Sequence, residues 1–141
     1  MTDYDFELQG EHVVLSPEKA LFWKKESLLI VSDLHLGKAG HFRKAGVAVP
    51  ANIHFGDLSR LTQLISRYKP AEVAFLGDLF HSDYNQDWDH FCDWRRDKPE
   101  VNFTLVRGNH DILYKIDYLS AGLILTDELV KGPFSFSHEK I

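Results

Sequence analysis

The sequence predicts an α+β fold built on a sheet that helices cover. Three observations lead there. Leu28-Leu29-Ile30-Val31 and Val73-Ala74-Phe75-Leu76 are unbroken apolar runs, as in strands buried on both faces. Residues 52–68 and 85–96 carry apolar side chains at helical spacing and lie between such runs. The runs end in the same kind of polar group, an Asp or Asn followed closely by a His.

In chain order, Met1 to Gln9 reads as an irregular lead-in. His12-Val13-Val14-Leu15 and Ala20-Leu21-Phe22-Trp23 are short strands around the turn-like Ser16-Pro17-Glu18-Lys19, and so a hairpin. His12 is expected on a strand surface as an ordinary polar residue. Lys24 to Ser27 leads into the central strand at Leu28, which runs into Ser32-Asp33-Leu34-His35. In an extended chain Asp33 and His35 point to the same side. A carboxylate and an imidazole placed this way can share a metal ion; the alternative is a turn-capping Asp beside an unrelated His.

The following loop, Leu36 to Gly46, holds three glycines and the cations Lys38, Arg43 and Lys44. Glycine permits close backbone approach, and these cations suit a phosphate-bearing substrate. A solvated loop is the alternative. Asn52 to Tyr68 is a helix, with Leu58, Leu61, Leu64, Ile65 and Tyr68 on one face and Lys69-Pro70 as its stop. His54 falls in its first turn as a surface or packing residue.

Glu72 to Leu76 is the second buried strand, entering Gly77-Asp78-Leu79-Phe80-His81. Asn85 to Arg96 is an amphipathic helix whose Trp88 and Phe91 read as core and whose Cys92 reads as a small buried residue. Val101 to Val106 is the third strand, entering Arg107-Gly108-Asn109-His110-Asp111. Ile112 to Ser120 is a short helix ending near Gly122. Leu123 to Thr126 and Leu129-Val130 read as strands around the acidic turn Asp127-Glu128, and Gly132-Pro133 as another turn. Phe134 to Glu139 alternates apolar and polar, a strand that carries His138.

Composition narrows the functional classes. The chain has 141 residues, one domain's worth, with 44% hydrophobic and 13% aromatic residues, enough for a packed core. Its net charge of -5 lacks the global basicity of a protein that coats nucleic acid, while leaving room for a local basic patch. Cys92 is the one cysteine, which excludes an internal disulfide and suits a reducing cytoplasm. The first residues show no signal-peptide core, and no run approaches the roughly 20 apolar residues of a membrane span.

The chemistry follows from the donor types. Asp33, His35, Asp78, Asn109 and His138 offer carboxylate, amide and imidazole donors, which suit Mn²⁺, Fe or Zn²⁺; no thiolate demands a softer metal. A carboxylate can bridge two ions about 3.5–4 Å apart, an arrangement that serves in-line phosphoryl displacement. His110 can protonate a leaving alkoxide, with Asp111 stabilising its charged form; the alternative is an exposed loop histidine.

Asp33-Leu34-His35, Gly77-Asp78-Leu79-Phe80-His81, Gly108-Asn109-His110-Asp111 and Ser137-His138 together resemble four of the five blocks of the calcineurin-like metallophosphoesterase superfamily. The ordered combination is specific and covers nearly the whole chain. His35-Leu36-Gly37-Lys38-Ala39-Gly40-His41-Phe42-Arg43 and Arg107-Gly108-Asn109-His110-Asp111 further resemble the bacterial ligase-associated DNA-damage-response phosphoesterases. These are similar to the nuclease subunits of double-strand-break repair complexes.

The resemblance implies a four-layer αββα sandwich, a dinuclear centre with Mn²⁺ as first choice, and phosphodiester hydrolysis. It implies Asp33, His35 and Asp78 at one ion, Asp78, Asn109 and His138 at the other, and His110 as general acid. Lys38, His41, His81, Arg43 and Arg107 become candidates for substrate contact. DNA or a nucleotide diester is the expected substrate. Repair proteins such as a ligase or helicase, and a second copy of the chain, are the expected partners; no membrane is expected. The family's fifth block, Gly-His-x-His, is absent from the sequence as given. The expectation is therefore a single domain over residues 1–141, truncated at its C-terminus, with the second sheet and each metal's ligand set incomplete, or a centre that another chain completes. That departure motivates two alternatives: a metal-poor scaffold or binding module, and a phosphodiesterase for small nucleotide diesters.

Overall fold

The computed structural model describes residues 3–16, 20–32, 53–77, 86–107 and 115–136. Seven strands form one sheet in chain order: β1 (Tyr4–Leu8), β2 (Glu11–Ser16), β3 (Ala20–Trp23), β4 (Leu28–Ser32), β5 (Glu72–Leu76), β6 (Asn102–Val106) and β7 (Leu123–Thr126). From β1 to β4 neighbours are antiparallel, and from β4 to β7 they are parallel. Helices α1 (Ile53–Tyr68), α2 (Gln86–Arg96) and α3 (Lys115–Ser120) lie in the connections between the parallel strands. A hairpin of β8 (Leu129–Lys131) and β9 (Phe134–Phe136) forms a second sheet. No described helix is long and apolar enough to cross a membrane.

The lead-in expected over Met1 to Gln9 is corrected: Tyr4–Leu8 is a strand. Tyr4-Asp5-Phe6-Glu7-Leu8 alternates apolar and polar, and Gln9 and Gly10 adopt φ of 53° and 80°. Two consecutive positive φ values make the twisted two-residue loop that suits a hairpin. Leu8 accordingly pairs with Glu11 directly across it. The tight turn before β4 is closed by Ser27 N–H donating to Lys24 O (3.1 Å), with Ser27 at φ 49°. α1 stops at Lys69, whose φ of 50° leaves the helix just before Pro70. Leu123–Thr126 and Leu129–Lys131 do flank the acidic turn, but they enter different sheets.

Alternation along the strands divides the core in two. Val14, Phe22, Leu29, Val31, Val73, Phe75, Phe103 and Leu105 face the helices and meet Leu58, Leu61, Leu64, Trp88, Phe91 and Tyr118. Phe75 stacks on Phe103 with ring centroids 5.8 Å apart, at the centre of the parallel region. On the other face Val13, Trp23, Leu28, Ile30 and Ala74 are covered by Leu129, Phe134 and Phe136 of the hairpin. β4 is apolar without interruption because both its faces are buried. Each such large side chain contributes about 1.5–3 kcal/mol. Helices, large sheet and small sheet are three layers of the α+β sandwich among the described residues. Cys92, expected to be a small buried residue, is half-buried against the helix-side core. His12 lies on the surface of β2 as expected, its Nε2 3.0 Å from Asp5 Oδ1.

Candidate metal centre

The parallel register aligns the ends of the central strands. Ser32 is paired with Leu76, and Leu76 with Val106, so β4, β5 and β6 finish side by side. With neighbouring strands about 4.8 Å apart, Ser32 and Val106 are separated by about 10 Å. The segments that follow these strands therefore start from one rim. Gly77 marks the exit from β5: it is buried, with φ 72°. A left-handed turn there is open to glycine and strained for other residues. Arg107 continues the β6–β7 ladder by one bond, its N–H donating to Thr126 O at 3.0 Å, and its side chain is exposed at the rim.

The hairpin returns to the same rim. Thr126, at the end of β7, is paired with Val106 and so lies at rim level. Leu129 follows three residues later, after a turn in which Thr126 Oγ1 donates to Glu128 O (2.6 Å). β8 then runs away from the rim. Its last residue, Lys131, reaches Glu72 at the opposite end of β5, with Nζ 2.7 Å from Oε1. β9 is antiparallel to β8, so Phe134 begins over Trp23 (ring centroids 4.9 Å) and Phe136 heads back toward the rim. His138 is two residues further on.

Of the expected site residues, Arg107 is the one among the described residues. Asp33, His35, Lys38, His41, Arg43, Asp78, His81, Asn109, His110, Asp111 and His138 lie outside them. The described chain fixes where each of their segments leaves the sheet. Among the described residues no group of three or more His, Cys, Asp or Glu is placed to hold an ion. The donor set carried beyond the strand ends, two carboxylates, one amide and two imidazoles, fits a hard or borderline divalent cation.

The calcineurin-like phosphoesterase family model matches residues 27–139. The chain belongs to that family. The family is one of phosphoester hydrolases that use divalent metal ions. The matched span starts just before β4 and so takes in every strand of the rim. No curated protein matches the chain. Among solved structures, the chain is similar to the Pseudomonas putida nuclease MPE, with a TM-score of 0.84 and 27% identity. The match covers 98% of this chain and 66% of that one, so this phosphoesterase chain spans about two thirds of the nuclease's length.

Sequence reading missed the contacts that hold this frame. Glu72 accepts from Thr104 Oγ1 (2.9 Å) as well as from Lys131. Asp3 accepts from the Tyr68 hydroxyl (2.6 Å) and pairs with Arg67 (3.0 Å), tying the start of β1 to the end of α1. Both link residues far apart in the chain, where local pattern gives no signal. The turn at Gly77 had a local signal, a glycine between an apolar run and an Asp.

Proposed function

We propose that this protein is a phosphodiesterase of the nuclease type, acting on DNA or a nucleotide-like diester through two divalent ions. The observation that carries the reading is the shared rim. Three parallel strands end in register there, and the strand preceding His138 runs toward it. In this reading Asp33, His35 and Asp78 hold one ion and Asp78, Asn109 and His138 the other, with Mn²⁺ as the expected metal. Bound there, the ions supply positive charge that activates water near neutral pH and neutralises phosphoryl oxygens.

The rest is the work of the chain's own groups. His110 protonates the leaving oxygen, and Asp111 holds its imidazole in the charged form. Arg107, exposed at the rim, is a donor for a substrate phosphate, and its planar fork suits two phosphate oxygens at once. Lys38, His41, His81 and Arg43 extend that contact. The similarity to a nuclease supports nucleic acid as the substrate class. Residues 1–141 act as one metallophosphoesterase domain.

The test is Mn²⁺-dependent hydrolysis of bis(p-nitrophenyl) phosphate and of single-stranded DNA. Asp78→Ala is expected to abolish both while keeping the wild-type circular dichroism spectrum. Full activity in a folded Asp78→Ala protein would overturn the assignment.

A further inference from the structure

We propose that the Glu72–Lys131 ion pair, with Thr104, is a positioning latch that sets the height of β9 on the large sheet and so delivers His138 to the metal centre. This rests on the reading of His138 as a ligand given above.

A two-stranded hairpin is marginal by itself. Here its place on the large sheet is set by what it touches. Leu129, Phe134 and Phe136 supply apolar contact, which is non-directional and tolerates sliding. The ion pair is directional. Lys131 Nζ donates to Glu72 Oε1 at 2.7 Å, and Thr104 Oγ1 donates to Glu72 Oε2 at 2.9 Å, so both carboxylate oxygens are engaged. The side chains of Lys131 and Glu72 are 28% and 17% exposed, which keeps most water out of the pair. The hairpin turn is seated beside it: a Cβ added at Gly132 would lie 3.2 Å from Trp23 Cη2.

The lengths make this latch consequential. Glu72 and Leu76 are the first and last residues of β5, so the latch lies about 13 Å below the rim. An extended chain from Phe134 to His138 reaches about 14 Å. In the reading given above, that length has to cover the height from the latch to the rim. A slip of the hairpin by one residue moves β9 by about 3.4 Å. Metal–ligand distances tolerate only about 0.2 Å. The ion pair is thus at the right place to decide whether the imidazole is presented at rim level, without itself touching metal or substrate. Lys131 and Glu72 are positioning residues and not catalytic ones.

The test titrates Mn²⁺ by calorimetry into metal-stripped wild type, Lys131→Met, Lys131→Arg, Glu72→Gln and His138→Ala. Wild type should bind in two steps, and His138→Ala should weaken one of them. Lys131→Met should weaken that same step about tenfold, the low end of what mutations behind metal ligands cost, and leave the other unchanged. Lys131→Arg, which keeps the charge, should bind like wild type. If Lys131→Met does not fold, Glu72→Gln carries the comparison, because it preserves volume and the Thr104 contact. The latch is refuted if a folded Lys131→Met or Glu72→Gln titrates like wild type while His138→Ala does not, or if both steps weaken equally. Wild-type titration by His138→Ala would instead remove His138 from the ligand set, and the latch with it.

Discussion

Gly77→Ala separates backbone strain from site geometry. Gly77 is buried at the exit from β5 with φ 72°, immediately before Asp78. An alanine in the left-handed region costs about 1–2 kcal/mol. For a domain of this size that lowers the melting temperature by about 3–7 °C. Relief of the strain requires the peptide to rotate, which redirects the chain into Asp78. Misplacement of a reacting group by about 1 Å can cost 10²-fold in rate. Gly10→Ala is the matched control, because Gly10 has φ 80° and a Cβ there meets nothing within 4 Å. Both variants should lose stability by urea denaturation, Gly77→Ala at least as much as Gly10→Ala because its site is buried. Gly77→Ala alone should lose Mn²⁺-dependent phosphodiesterase activity. Equal stability losses with full activity in both variants would refute the reasoning.

Two further outcomes follow from the same structure. Burial, and next the hydrogen bond to Asp3, push the Tyr68 phenol up to about 12 from its ordinary value of 10.0. A raised folded-state value means that this stabilisation is intact below pH 10 and is lost as pH rises toward 12. Tyr68→Phe should flatten that alkaline decline in denaturant melts between pH 9 and 12. Metal binding should also stabilise the fold. At a free concentration about 100 times Kd, an ion adds about 2.7 kcal/mol per site. Chelation should therefore lower the melting temperature of wild type and leave that of Asp78→Ala unchanged.

The elements that sequence pattern revealed are those whose signal is local. β4 and β5 are continuous apolar runs because both faces are buried. α1 shows its buried stripe through Leu58, Leu61 and Leu64 at steps of three. β1 escaped notice for a physical reason. It is an edge strand with Tyr4 67% and Leu8 42% exposed, so it lacks the continuous apolar run that marks β4 and β5. The separation of β7 from β8 into two sheets is a non-local outcome, invisible to any window of residues. So is the Glu72–Lys131 pair, which joins positions 59 residues apart. For the candidate site, the sequence carried the donor types and the structure adds the parallel register that lines up Ser32, Leu76 and Val106. Neither alone supplies both.

The most direct measurement is anomalous diffraction from crystals grown with Mn²⁺. The account predicts two peaks about 3.5–4 Å apart at the C-terminal ends of β4, β5 and β6, with Asp78 touching both. It also predicts Asn109 and His138 at one peak and Asp33 and His35 at the other. Peaks elsewhere on the molecule, or Asp33, Asp78 and Asn109 too far apart to share ions, would contradict it.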